Sequence, residues 1–165
     1  MILASICMRG GSKGVIGKNS RDLLGKPLMV HTFDCAKKST TIHEIAVSSD
    51  SEKILNISTQ NGIKHVFKRK DSLSTDESSK WDVFKDLVLQ FESRTGKRVE
   101  YLVDLDVTVP RRKAEYIDSS VDMMLSHKVD VVITGYEPER NPYFNMMEVN
   151  ENGTAQLVKK TNKTI

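Results

Sequence analysis

The chain opens with MILASICM at residues 1–8, followed by RGGSKGVIGKN at residues 9–19. The first segment is almost continuously apolar, which is typical of a strand that is buried on both faces of a parallel sheet. The second segment combines four glycines with Arg9, Lys13 and Lys18. A buried strand that runs into a basic, glycine-rich loop indicates an α/β fold with a ligand site at the end of that strand.

Strand-like and helix-like segments alternate through the rest of the chain. The pattern predicts further strands at residues 44–48, 64–68, 101–105 and 129–134, with helices at 28–38, between 52 and 61, at 78–94 and at 113–127. This order predicts a mostly parallel sheet with helices on both faces, within a single domain that spans residues 1–165. Residues 144–149 and 155–158, joined by the turn residues 150–153, predict a C-terminal hairpin.

The predicted helix at 78–94 carries a row of large apolar side chains at helical spacing. The row consists of Trp81, Phe84, Leu87, Val88 and Phe91. This spacing predicts core packing rather than a platform on which bases stack.

The composition is that of an ordinary soluble globular protein, with 38% hydrophobic and 28% charged residues. No apolar run approaches the roughly 20 residues of a membrane span, and the first residues lack a basic leader. The net charge of +3 is too small to indicate a nucleic-acid partner. Cys7 and Cys35 form no CxxC pair, which indicates free thiols. We therefore expect a cytoplasmic protein with neither a membrane nor a nucleic acid as its partner.

Three loops follow the carboxyl ends of predicted strands, after Met8, after Lys68 and after Leu105. Because parallel strands end at one edge of a sheet, these loops converge on one crevice near a topological switch point. Basic residues recur in the loops, at 9–18, 68–70 and 111–113. Their position at this edge favours a binding site over a solvated surface.

Several kinds of glycine loop compete to explain residues 9–19. A P-loop would need a glycine in place of Ser12 and a serine or threonine in place of Asn19, so that motif fails twice. The dinucleotide fingerprint also fails, because no two of these glycines are separated by a single residue. A plain structural turn does not need four glycines among basic residues. The remaining interpretation is an anion-binding nest of successive backbone amides. In this interpretation, Arg9 and Lys13 neutralise a triphosphate and the pyrophosphate that it releases.

These motifs resemble a known family, the cytidylyltransferases that activate acidic sugars, typified by N-acylneuraminate cytidylyltransferase (CMP-sialic acid synthetase). The resemblance covers residues 2–14, 17–19, 24–28, Arg69, 74–76 and 78–80, and thus most of the motifs described above. Residues 106–112 stand where the family usually carries Gln-Pro-Thr-Ser-Pro-Leu-Arg. The resemblance spans essentially the whole chain and implies a Rossmann-like nucleotidyltransferase fold.

The resemblance also implies roles for individual residues. Arg9 and Lys13 would be catalytic. The nucleotide would be bound by Cys7, Met8, Arg9, Gly10, Gly11, Ser12, Lys13, Asn19, Arg69 and Lys80. The acidic sugar would face Asp106, Thr108, Arg111 and Arg112, where a guanidinium suits a carboxylate.

The implied reaction is the attack of a sugar's anomeric hydroxyl on the α-phosphate of CTP, with Mg²⁺ present and pyrophosphate leaving. The sugar would be a nine-carbon acid of the sialic, legionaminic or pseudaminic type, and the enzyme could form a homodimer. Two alternatives stay open. One is another sugar nucleotidyltransferase, and the other is a nucleotide- or sugar-binding module without turnover.

Two features depart from the family pattern. Asp106 replaces the family's glutamine and resembles the carboxylate that holds magnesium in the related cytidylyltransferases for 3-deoxy-manno-octulosonate. A loop aspartate that caps backbone amides explains Asp106 equally well, and Asp104 is the alternative metal ligand. In addition, family members usually continue for several dozen residues, so we expect the C-terminal part of the family domain to be missing here.

Overall fold

The computed structural model of the protein describes residues 1–11, 14–75, 77–143 and 145–159. The chain divides into two compact units, Met1–Val132 and Ile133–Ile165. The first unit contains the predicted sheet and its helices, and the second contains the predicted hairpin. That the two units form one functional domain stays a prediction.

The secondary structure alternates as expected through the first unit. The strands are β1 Ile2–Met8, β2 Asp22–Leu23, β3 Lys26–Pro27, β4 Glu44–Ser49, β5 His65–Lys68, β6 Tyr101–Asp104, β7 Met147–Val149 and β8 Ala155–Leu157. The α-helices are α1 Leu28–Lys38, α2 Glu52–Gln60, α3 Lys80–Thr95 and α4 Ala114–His127, and short 3₁₀ helices lie at Lys18–Ser20 and Asp71–Leu73.

A four-stranded sheet in the order β5-β4-β1-β6 organises the first unit. All of its pairings are parallel, which confirms the predicted α/β class. The chain proceeds outward from β1 to β4 and β5, and then returns to place β6 on the other side of β1. This reversal puts the topological switch point between β1 and β6, where ligands of such sheets bind.

Two hydrophobic cores cover the two faces of the sheet. Side chains of β1 alternate between them, as a strand requires. Ala4, Ile6 and Met8 pack in the core that α1, α2 and α4 complete. Leu3 and Cys7 lie on the opposite face, in the core that α3 completes. The continuous apolar run of β1 therefore reflects burial on both sides, as the sequence predicts.

A small hairpin that the sequence analysis did not predict precedes α1. Its antiparallel strands β2 and β3 are joined by Leu24 and Gly25, which have φ angles of 53° and 85°. Two successive positive φ angles are typical of a type I′ turn, and leucine rarely adopts one. His31 Nε2 lies 2.8 Å from the Leu23 carbonyl oxygen, which ties the hairpin to α1.

The predicted strand at 129–134 is wrong. These residues form no regular secondary structure, and Val131 and Ile133 are 56% and 85% exposed. A strand needs a neighbour for its backbone groups, and β6 ends the described sheet on that side. An apolar, β-branched sequence is therefore not sufficient to form a strand here.

The aromatic row of α3 is only partly core. Leu87 and Phe91 are fully buried, whereas Trp81 is 70% exposed. Trp81 lies in the first turn of α3, ahead of the covered part of the helix, and contacts Phe84 edge-on. The prediction of core packing is therefore confirmed for the middle of the helix and wrong for Trp81.

The second unit forms the predicted hairpin, in which β7 and β8 pair antiparallel. The turn between them is closed by Asn150, whose side-chain Oδ1 accepts hydrogen bonds from the backbone N–H groups of Asn152 and Thr154. Phe144, which the prediction included, lies outside the described residues. In the described part of the chain, no helix is long and apolar enough to cross a lipid bilayer.

Candidate functional site

The loops after β1, β5 and β6 meet at the carboxyl edge of the sheet, as predicted, and the loop after β4 joins them there. Hydrogen bonds connect the loop after β1 to the loop after β4, and Arg69 after β5 to the end of β1. An ion pair connects the start of α3 to the end of β6. We refer to this edge, from Gly10 across Cys7 to Asp106, as the crevice.

Gly10 is held against the β4–α2 connection. Its backbone N–H donates a hydrogen bond of 2.8 Å to Asp50 Oδ1. A Cβ atom added at Gly10 would lie 2.8 Å from Ser51 Cβ, closer than real side-chain atoms approach, so only glycine fits there. The predicted amide nest therefore cannot use the Gly10 N–H while this bond is made. Ser12 and Lys13 lie outside the described residues.

Asn19 closes the base of the glycine-rich loop. Its buried side chain donates through Nδ2 to the carbonyl oxygen of Arg9, at 3.0 Å. The 3₁₀ helix that carries Asn19 begins after Gly17, which has a φ of 64°. Asn19 thus bonds the loop backbone, and its predicted contact with phosphate or ribose stays a prediction.

Arg69 is 4% exposed and joins the ends of β1 and β4. Its Nη2 donates to the carbonyl oxygens of Met8 and Ser48, at 3.2 and 2.8 Å, and its Nε donates to Ser48 Oγ at 3.2 Å. Burial lowers the pKa of the guanidinium below its ordinary value. These hydrogen bonds connect the carboxyl ends of β1 and β4 beneath the crevice. The nucleotide contact that the resemblance implies for Arg69 stays a prediction.

Cys7 lies at the centre of the crevice, one residue before the end of β1. Burial raises the pKa of its thiol to about 12, and the nearby positive charges of Arg69 and Lys80 only partly oppose that shift. The neutral thiol is therefore the favoured form at physiological pH, and the reactive thiolate is scarce. A small neutral group at this position suits the predicted place beside a base.

Lys80 brings a positive charge to the β6 side of the crevice. The helix α3 begins at Lys80 because Ser79 Oγ accepts the backbone N–H of Trp81. Lys80 Nζ then forms an ion pair with Asp104 Oδ2. Burial lowers the pKa of Lys80, but the hydrogen bond and charge of Asp104 outweigh it, so the pKa is raised.

Asp106 shapes the loop that follows β6. Its Oδ1 accepts hydrogen bonds from Thr108 N at 2.8 Å and Thr108 Oγ1 at 2.7 Å. Desolvation raises the pKa of Asp106, but these bonds and the charges of Lys80 and Lys18 lower it more, so the carboxyl titrates below its ordinary value. The loop-capping alternative is confirmed by these contacts. The magnesium role stays a prediction.

The two arginines after this loop have different surroundings. Arg111 is exposed, whereas Arg112 is half-buried and donates through Nη2 to the Asp106 carbonyl oxygen at 2.8 Å. The Arg112 carbonyl accepts the Cys35 thiol at 3.3 Å, which ties the loop to α1. Arg112 therefore supports the loop, and Arg111 is the guanidinium that the structure leaves exposed to solvent.

Sequence reasoning missed Asp50 as part of the crevice. Its serine-rich surroundings indicate the start of α2, where the N-cap residue is Ser51. The missed signal is its position directly after β4, at the same edge as the glycine-rich loop. Within the described residues, no group of three or more His, Cys, Asp or Glu side chains gathers to hold a metal ion.

A parallel sheet with a glycine-rich loop and paired charges at its switch point defines an α/β protein with a ligand site at the strand ends. The sequence model described as cytidylyltransferase matches residues 3–162. The chain therefore belongs to the cytidylyltransferase family, as the motifs predict.

The chain is similar in sequence to two curated relatives. The chain is 33% identical over 151 residues to CMP-N,N'-diacetyllegionaminic acid synthase of Campylobacter jejuni, covering 92% of this chain and 64% of the relative. It is 38% identical over 136 residues to N-acylneuraminate cytidylyltransferase of Streptococcus agalactiae, covering 81% of this chain and 32% of the relative. The chain thus spans less than two thirds of either protein.

A solved structure supports the fold. The structure of CMP:2-keto-3-deoxy-manno-octonic acid synthetase complexed with CTP matches with a TM-score of 0.61 and 19% identity. The match covers 77% of this chain and 48% of that one. At this identity, the match confirms the nucleotidyltransferase fold and says nothing about the substrate.

Proposed function

We propose that this chain carries the nucleotide site of a cytidylyltransferase that activates an acidic nine-carbon sugar with CTP. The observation that carries the proposal is the glycine-rich loop of a cytidylyltransferase-family chain, held at the switch point of its sheet. The sugar class comes from the relatives named for legionaminic and N-acylneuraminic acids, at 33% and 38% identity.

In the proposed reaction, the anomeric hydroxyl oxygen of the sugar forms a bond to the α-phosphorus of CTP. The bond between the α-phosphorus and its bridging oxygen breaks, pyrophosphate leaves with that electron pair, and the hydroxyl proton passes to solvent. The protein mainly aligns the two anions and neutralises their charge. Arg9, Lys13 and Lys80 are the cations that we assign to the nucleotide.

We assign the sugar carboxylate to Arg111. An arginine fork can bind a carboxylate through two parallel hydrogen bonds, and Arg111 is exposed at the crevice loop. Arg112 is a weaker candidate, because Nη2 is already bonded to the Asp106 carbonyl. Thr108, which also donates to Asp106, holds the loop from which Arg111 extends.

The carboxylates that we assign to a magnesium ion are Asp106 and its neighbour Asp104. Asp104 ends β6 and pairs with Lys80, and Asp106 follows two residues later. Mg²⁺ typically takes one or two carboxylates and completes its shell with water and substrate phosphates, which suits a pair rather than a cage. When bound, the ion would neutralise phosphate charge. Asp104 and Asp106 would hold it.

We also propose that the protein is cytoplasmic and forms a homodimer. Cys7 and Cys35 are free thiols, which suits a reducing compartment.

The dimer is an expectation from the family resemblance. Sedimentation equilibrium tests it directly, with a mass near 37 kDa expected for two copies of the 18.6 kDa chain, by doubling.

A pyrophosphate-release assay tests the activity. Each of CTP, UTP, ATP and GTP is incubated with Mg²⁺ and with N-acetylneuraminate, a legionaminate or a pseudaminate. We expect release only with CTP and one of these acids. Release with another nucleotide would favour a different sugar nucleotidyltransferase.

The same assay distinguishes the alternative of a binding module without turnover. A module would bind CTP, and its melting temperature would rise with CTP concentration. It would release no pyrophosphate with any sugar acid or divalent metal.

A further inference from the structure

Asp50 faces the glycine-rich loop from the neighbouring strand. It follows β4 directly, and its Oδ1 accepts the Gly10 N–H at 2.8 Å across 40 positions of sequence. Ser49 Oγ lies 3.5 Å from the same oxygen. This contact gives the start of the loop a defined position relative to β4.

The backbone around Asp50 makes further hydrogen bonds. Lys68 Nζ donates to the Asp50 carbonyl oxygen at 2.6 Å, and the Ser51 N–H donates to Ser49 Oγ at 3.2 Å. Gly10 also packs so closely against Ser51 Cβ that a side chain at position 10 would not fit. The loop therefore starts beside a segment, residues 49–51, that is itself hydrogen-bonded.

The charge of Asp50 is unfavourable to the ligand that we propose. A carboxylate beside a triphosphate loop repels the phosphates, since like charges at short range cost free energy. The buried Arg69 guanidinium interacts electrostatically with Asp50 and offsets part of that charge. For Asp50 to favour phosphate binding, its contribution to the structure of the loop must exceed this repulsion.

We propose that Asp50 is a positioning residue that engages the Gly10 amide and so preorganises the glycine-rich loop for the phosphates of CTP. The inference rests on the proposed function for its ligand. It separates the loop into two parts: the Gly10 amide anchors the loop, and the amides beyond Gly10 contact phosphate. Preorganisation raises affinity because less ordering remains to be done on binding.

Two variants separate the hydrogen bond from the charge. Asp50→Asn keeps an oxygen acceptor and loses the charge, whereas Asp50→Ala loses both. With ¹⁵N-glycine labelling, we expect the Gly10 amide to exchange at least about tenfold faster in Asp50→Ala, which has no acceptor, and within about threefold of wild type in Asp50→Asn, whose amide oxygen can still accept the bond.

CTP affinity, measured by calorimetry, should diverge in the same way. We expect Asp50→Ala to raise the Kd for CTP by about tenfold, and Asp50→Asn to leave it unchanged or lower it. Equal tightening in both variants would show that Asp50 acts only as a repelling charge, and would overturn the proposal. Asp122→Ala, at an exposed position of α4, is the matched control and should change neither measurement.

The wild-type protein supplies a test that does not depend on the variants folding. On addition of CTP, the resonances of Gly11 and Gly14 should move much further than that of Gly10, which stays bonded to Asp50. A largest shift at Gly10 would overturn the proposal. If wild type binds no CTP at all, the proposed function fails, and the Gly10 exchange rates still test whether Asp50 holds the loop.

Discussion

The two sides of the crevice use their polar residues in different ways. On the β4 side, Asp50, Arg69 and Asn19 all bond to backbone atoms of neighbouring segments. On the β6 side, Lys80 pairs with a side chain and Arg111 is exposed. The comparison teaches that the β4 side builds the shape of the site, while the β6 side, whose loop Asp106 and Arg112 support, also presents charges that a ligand can engage.

The largest expected effect is the loss of Arg69 on the β4 side. Arg69→Met should lower the free energy of unfolding by about 3 kcal/mol, because the Met8 and Ser48 carbonyls would remain buried without this donor. Urea denaturation measures the change. Lys70→Met, at an exposed neighbouring position, is the control. A loss below about 1 kcal/mol in Arg69→Met would contradict the division between the two sides.

Lys80 tests the β6 side. Lys80→Met should reduce pyrophosphate release by about 100-fold, which corresponds to about 2.7 kcal/mol of lost transition-state stabilisation. The stability should change by less than about 1 kcal/mol, because a partly exposed ion pair contributes little. Lys85→Met on the same helix should leave both unchanged. A variant with full activity but a large loss of stability would place Lys80 among the structural residues.

The two neighbouring arginines sharpen the comparison within one loop. Arg111→Ala should raise the KM for the sugar acid by about tenfold and leave both CTP affinity and stability nearly unchanged. Arg112→Ala should instead destabilise the fold by about 1–2 kcal/mol, since it removes the donor to the Asp106 carbonyl. Steady-state kinetics and urea denaturation provide both readouts. Equal weakening of both substrates in Arg111→Ala would contradict its assignment to the sugar.

The smallest effect concerns Cys7, which lies between the two sides. Because burial raises the pKa of this thiol to about 12, the reactive thiolate is scarce in the native protein at pH 8. Iodoacetamide should modify Cys7 only after urea is added, as judged by peptide mass spectrometry. Rapid modification of Cys7 in the native protein would mean that the crevice is more open than the structure indicates.

Sequence reasoning predicted what depends on local pattern. The apolar run of β1, the spacing in α1 and the alternation of elements are local signals, and the rule for parallel sheets then brought the right loops together. It missed what depends on distant partners. Asp50 and Gly10 are 40 residues apart, and nothing in a serine-rich turn indicates that its acid accepts a glycine amide.

The same distinction explains the two corrections and the missed hairpin. Residues 129–134 have the composition of a strand, but a strand also needs a neighbour in the sheet. Trp81 has helical spacing, yet only the neighbouring structure decides which turns of a helix are covered. In the β2–β3 turn, Leu24 has a φ of 53°, and a leucine in the sequence does not predict this conformation.

A crystal structure with CTP and Mg²⁺ tests the central claim most directly. The account predicts triphosphate oxygens against the loop beyond Gly10, the cytosine beside Cys7, and Asp50 still bonded to the Gly10 amide. A triphosphate bound elsewhere, with Arg9 and Lys80 facing only solvent, would contradict the assignment of this crevice as the nucleotide site.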